Sequence, residues 1–140
     1  MSGFAALYVV QVRNFLLFHS TVEMFSILVA FAVFVVTWNA REELEQPFVV
    51  ILGISYLFVG GMDLLHTLAY KGMGVFPDAG ANLPTQLWLL GRSLEGASLL
   101  GAGVAGLVVS KHDSLDIEWN GRSFGALVTS YAVVVALGLG

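Results

Sequence analysis

The chain has 140 residues, of which 57% are hydrophobic and 11% charged, at a mean hydropathy of +0.83. An ordinary soluble domain carries about 25% charged residues, so this composition lacks the polar groups to cover a water-facing surface and points to an integral membrane protein. The formal net charge of −4 comes without a basic run, which argues against a nucleic-acid partner, and the absence of Cys excludes disulfides, thiolate metal sites and thiol redox sensing.

In chain order, residues 4–12 (FAALYVVQV) are apolar but too short to span a bilayer. They read either as a segment lying on the membrane surface or as the end of a longer element. No Lys/Arg-rich start followed by a small-residue cleavage site is present, so a signal peptide is not expected. The first long apolar run covers 14–38, the second 47–70 and the third 84–109. Each exceeds the roughly 20 residues that cross the hydrocarbon core at 1.5 Å per residue. A fourth covers 124–140 and stops at ALGLG without a polar stop. Backbone groups in lipid must be satisfied internally, so all four runs are expected to be helices. The expectation is an all-α, polytopic transmembrane helix bundle of three complete helices and a truncated fourth. Both ends look cut, so residues 1–140 read as one membrane domain continuing into a longer one.

The connections are short. NAREELEQ (39–46) is polar and acidic, and KGMGVFPDAGANL (71–83) is rich in Gly and Pro and can form a compact ordered loop. Asn82 followed by Pro84 suits a helix start. KHDSLDIEWNGR (111–122) precedes the fourth run. Arg41, Lys111 and Arg122 fall on one side of this arrangement, and Arg13 and Lys71 on the other. That narrow majority puts the 39–46 and 110–122 loops in the cytoplasm and the 71–83 loop outside.

Ionisable residues within the runs carry the functional signal. His19 and Glu23 stand four apart in LFHSTVEMFS, Asp63 and His66 three apart, and Arg92 and Glu95 three apart, so each pair shares one helix face. Measured from the same membrane face, His19, His66 and Arg92 lie at depths of roughly 6–12 Å. One polar cluster can therefore form beneath the 71–83 loop, with Arg92 pairing Asp63, Glu23 or Glu95. A central charge costs about 2.5–3.5 kcal/mol on the insertion scale, so these groups should face inward and find one another. Three readings compete: a structural network fixing helix register, a pocket for a small polar or redox-active ligand, and a cofactor site. For the last, His19, His66, Glu23 and Asp63 make a plausible divalent-metal set, and two imidazoles on facing helices are a plausible axial pair for haem. His112 sits in a polar loop and reads as solvated.

Other patterns are weaker. GAGVAG (101–106) matches G-x-G-x-x-G but has no βαβ setting. With Ala97, Gly101 and Ala105 on one face it reads as close helix packing. Trp38 and Trp88 fit interfacial belts, and Tyr70 suits either a belt or a cap over the polar cluster. No nucleophile–base arrangement or phosphate loop appears, so catalysis is not expected of this chain. A transporter or channel fragment is an alternative class, although transporters usually break a helix at mid-membrane, whereas these polar groups lie toward one face.

The F-H-x-x-V-E start at 18–23, the run DLLHTLAYKGMG at 63–74 and A-N-x-P-T-Q-L-W at 81–88 occur in order. Over about residues 14–109 the chain resembles a MASE-type membrane-associated sensor domain, of the third such family. The resemblance implies the N-terminal input domain of a bacterial or archaeal signalling protein in the cytoplasmic (inner) membrane. It implies a cytoplasmic output module outside this chain (diguanylate cyclase, histidine kinase or PAS), hence cyclic di-GMP or two-component signalling, and a homodimer in the full-length protein. The family's recurrent polar positions fall on His19, Glu23, Asp63, His66, Arg92 and Glu95. The resemblance does not name the ligand.

Overall fold

The computed structural model describes residues 3–44, 46–77, 80, 82–111 and 121–139. The described residues form five helices: α1 (Gly3–Arg13), α2 (Phe15–Ala40), α3 (Pro47–Ala69), α4 (Asn82–Lys111) and α5 (Gly121–Leu139). Among the described residues there is no strand. The helices α2, α3, α4 and α5 are long and apolar enough to cross a membrane, and the all-α bundle read from the sequence is the observed fold. Residues 112–120, including His112 and most of the expected 110–122 loop, lie outside the described residues.

The boundaries depart from the apolar runs where polar side chains carry a helix onward. The last turn of α2 runs past Trp38 because Asn39 Nδ2 donates to the Val35 carbonyl and Arg41 donates to that of Trp38, both at 2.7 Å. Residues 4–12 belong to α1, which joins α2 through a bend at Asn14. Helical hydrogen bonding crosses the bend, from Asn14 N–H to Val10 O and from Phe18 N–H to Asn14 O. Asn14 itself is non-helical (φ −150°, ψ 86°), and its Oδ1 accepts the Leu17 N–H at 3.1 Å, the usual role of an Asn N-cap. Pro47 opens α3 in the first turn, where a missing N–H costs nothing.

The central element is α3, which packs against α2, α4 and α5. Its interior positions include small residues, and two of them set the distance to α2. A side chain at Gly53 would collide with Thr37, and one at Gly60 would come within 3.0 Å of the Ala30 Cβ. Small residues two turns apart on one face let two membrane helices approach closely, which lipid itself does not drive. Two hydroxyls buried in the bundle bond back to their own helix, Thr67 to Asp63 O and Ser98 to Leu94 O, which satisfies them in an apolar setting. Opposite α3, the outer faces of α2, α4 and α5 present Phe25, Leu28, Val36, Leu100 and Leu137 outward, the surface that acyl chains would cover.

Two apolar clusters bracket the bundle. Near the 39–46 connection, Val50 and Ile54 pack on Phe124, whose ring meets Trp38 edge-on at 5.0 Å. Near the other end, Met62, Ala69 and Leu87 pack with Leu83, Leu90 and Val135. Between them α5 is tied across the bundle, with the Tyr131 ring stacked on Phe58 and its hydroxyl donating to Ser98 Oγ at 2.7 Å.

The turn after α3 sits over the start of α2. Gly72 (φ 103°) and Gly74 (φ 71°) take left-handed conformations that only glycine adopts freely. Gly72 also lies so close to α2 that a side chain there would stand 3.1 Å from Leu16 Cδ2. One residue further, Met73 Sδ accepts the Ser20 hydroxyl at 3.6 Å. The loop is thus fastened directly above His19.

Candidate functional site

The intramembrane polar residues form two adjoining groups near the α3–α4 connection. In the first, Arg92 of α4 spans two carboxylates: one terminal nitrogen contacts Asp63 Oδ2 on α3 and the other Glu95 Oε2 one turn along α4, each at 2.6 Å. Tyr56 of α3 donates to the other Glu95 oxygen at 3.2 Å. Two negative charges face one guanidinium. Asp63 is nearly enclosed while Arg92 keeps about a third of its side-chain surface exposed, as a long stem reaching across a helix face does.

In the second group, His19 and Glu23 of α2 meet His66 of α3. One donor atom from each lies within 4.8 Å of the others. The imidazoles stand edge to face, with ring centroids 5.7 Å apart and planes at 82°. Helix geometry explains the meeting. Side chains tilt toward the N-terminus of their own helix. Antiparallel α2 and α3 therefore lean toward each other here, Glu23 back toward the membrane face and His66 away from it.

The surroundings fix both rings. Phe15 stacks on His19 at 5.9 Å, and the Tyr70 ring lies 4.2 Å from His19 and 6.2 Å from His66, so Tyr70 caps the group. His66 Nδ1 lies 2.7 Å from the Pro84 carbonyl at the start of α4. A carbonyl only accepts, so Nδ1 carries a proton, and in the neutral tautomer this selects, Nε2 of His66 presents a lone pair. His19 Nε2 is buried with no hydrogen-bond partner, as are Asp63 Oδ1 and Arg92 Nε. A cavity of about 660 Å³ opens beside His66, lined also by Tyr70, Lys71, Phe76 and Thr85.

All six residues singled out in the sequence are in these two groups. Arg92 takes Asp63 and Glu95, whereas Glu23 joins the imidazoles instead of Arg92. Asp63, the fourth residue of the metal set expected from the sequence, stands outside the three-residue donor group and is held by Arg92. Tyr56 and the Pro84 carbonyl were not foreseen. Tyr56 carried a readable signal, because it lies two turns before Asp63 on the same helix face. The Pro84 carbonyl carried none, since every residue has one.

GAGVAG lies inside α4 in a purely helical setting, which excludes a dinucleotide-binding turn. Searches of curated proteins and of solved structures found no match. A family model described as a membrane-associated sensor domain, MASE3, matches residues 10–139. That match covers nearly the whole chain, including all four long apolar helices and both polar groups, and the chain belongs to the MASE3 family of membrane-associated sensor domains.

Proposed function

We propose that this membrane sensory domain detects a small ligand or a metal- or redox-linked signal at the polar cluster between α2, α3 and α4. It relays that signal to a cytoplasmic output module, a diguanylate cyclase, histidine kinase or PAS unit, in the full-length protein of the inner membrane. The observation that supports this reading is the convergence of His19, Glu23 and His66 from two helices, beside the Arg92 ion pairs, with His66 also lining a cavity. A site at a helix–helix contact has the leverage a sensor requires. Its occupant shifts the packing of α2 against α3 by as much as its affinity differs between two arrangements. The enzymatic step belongs to the output module, and this chain contributes recognition and helix movement.

The test uses the full-length protein with its native output module and two variants, His19→Gln and His66→Gln. Gln approximates the size and hydrogen-bonding ability of His. Both variants are expected to insert and fold, and to lose regulated output together. Wild-type regulation in both would reduce the cluster to a structural network.

A further inference from the structure

We propose that His19, Glu23 and His66 bind a single divalent transition-metal ion of the zinc class. The two imidazole Nε2 atoms and one Glu23 carboxylate oxygen hold it, and one coordination position remains open. The proposal deepens the sensory reading and rests on it for its physiological meaning, while its chemistry stands on the three donors.

The first argument is an excess of acceptors. His66 spends its ring N–H on the Pro84 carbonyl at 2.7 Å, so its Nε2 only accepts. Glu23, when ionised, only accepts. His19 Nε2 is buried and has no hydrogen-bond partner. An imidazole in its neutral form brings one ring proton, and here one donor atom of each of the three residues lies within 4.8 Å of the others. A cation satisfies all three at once.

The second argument is second-shell order. Metal-bound histidines commonly give their other N–H to a backbone carbonyl, which fixes the tautomer and the ring direction and makes the ligating nitrogen more basic. His66 has this arrangement through Pro84. The His19 ring is wedged between Phe15 and Tyr70, which limits its rotation without consuming Nε2.

The donor set also decides which ion. Two imidazoles and one carboxylate, with a position left open, suit zinc-class ions, whereas calcium and magnesium prefer all-oxygen shells. Bonds of about 2.0–2.2 Å would bring the donors to roughly 3.3 Å apart in tetrahedral geometry. From separations within 4.8 Å the closure is about 1.5 Å at most, within reach of small side-chain rotations in the three ligands. Haem fits less well. A macrocycle needs a full plane between its two axial imidazoles, and here Glu23 converges on that same point while Tyr70 covers it at 4.2 Å from His19. Of the three donors His66 also lines the cavity, which brings one edge of the site to an open space from which an ion can approach.

The probe is Co²⁺, titrated into the metal-stripped full-length protein in nanodiscs. One equivalent should bind and give the visible ligand-field bands of a four- or five-coordinate nitrogen/oxygen site, and Zn²⁺ should displace it. His19→Gln, His66→Gln and Glu23→Gln should each weaken binding by more than the roughly 10- to 100-fold that loss of an outer-shell partner costs, while Asp63→Asn retains it. Absence of stoichiometric Co²⁺ binding by the wild type overturns the proposal whether or not the variants fold. Undiminished binding in all three ligand variants overturns it as well. The two readings separate cleanly. If no metal binds yet the His variants still lose regulated output, the sensory role stands and the metal falls. If metal binds but those variants signal normally, the metal site stands and the sensory role falls.

Discussion

Arg92 of α4 holds the nearly enclosed carboxylate of Asp63 on α3 at 2.6 Å, and this ion pair is a charged link between two membrane helices. The same guanidinium takes Glu95 with its other terminal nitrogen. A planar fork with two divergent donors suits this bridge, and a lysine ammonium does not reproduce it. Such a link fixes the rotation and register of α3 against α4, because sliding either helix breaks the Arg92–Asp63 contact and the Tyr56–Glu95 hydrogen bond.

Replacing Arg92 with Ala should therefore destabilise the bundle. Removing one partner of a fully buried pair costs about 3–5 kcal/mol. The cost here should fall below that range, because Arg92 is partly exposed. Arg92→Lys should recover part of the loss. Thermal unfolding in detergent checks both variants. An unchanged midpoint for Arg92→Ala would show that the ion pairs contribute nothing to the fold.

The three helix-spaced pairs were legible in the sequence because period and depth are sequence properties. His19 and Glu23, Asp63 and His66, and Arg92 and Glu95 each had to share a face, and short loops had to bring their depths together. Which residue would pair with which was not legible. By depth alone Glu23 is as near Arg92 as it is to the imidazoles. The choice depends on how far each helix is rotated about its axis and on the opposite lean of side chains in antiparallel neighbours. Asn14 and Asn39 show the limits on boundaries. Hydrophobicity ends near both residues, but their side chains bond to nearby backbone groups and help carry helical structure past or around them.

Tyr56→Phe tests the outer edge of the ion-pair network. The substitution deletes one hydroxyl and its 3.2 Å hydrogen bond to Glu95 while keeping the ring. Glu95 retains Arg92, so no charge is stranded. The expected loss is about 1 kcal/mol, in the range for one hydrogen bond. A loss as large as that of Arg92→Ala would mean that Tyr56 positions Glu95 for the whole network.

Topology is testable because the chain contains no Cys and single cysteines can be introduced freely. Glu43 and Val75 are exposed, in the connections on opposite ends of α3. Cysteine at Glu43 should react with a membrane-impermeant maleimide only from the cytoplasmic side, and cysteine at Val75 only from outside. Labelling of both from one side would rule out α3 as a spanning helix. A clean exchange of sides would keep the span and reverse the orientation, showing that three basic residues against two did not decide it.

The contact between Gly53 and Thr37 gives a sharper test, because it predicts which second mutation rescues a first. A side chain at Gly53 would meet the Thr37 hydroxyl, methyl and Cβ together. Gly53→Ala should therefore push α2 away from α3 and destabilise the bundle by about 1–3 kcal/mol, the range for overpacking a dense contact. Thr37→Ala should not relieve it, because the Cβ remains. Thr37→Gly should, at a helix-propensity cost of about 0.5–1 kcal/mol. The double variant Gly53→Ala with Thr37→Gly exchanges which helix carries the small residue, and should be more stable than Gly53→Ala alone. Thermal unfolding of the four proteins completes a double-mutant cycle. A coupling near zero would mean that α2 and α3 do not touch at this position. The same displacement should reach the functional site, because His19 and Glu23 ride on α2 and His66 on α3. Gly53→Ala is thus expected to disturb regulated output although it lies far down the helix from the imidazoles, and Thr37→Gly is expected to restore both stability and output together.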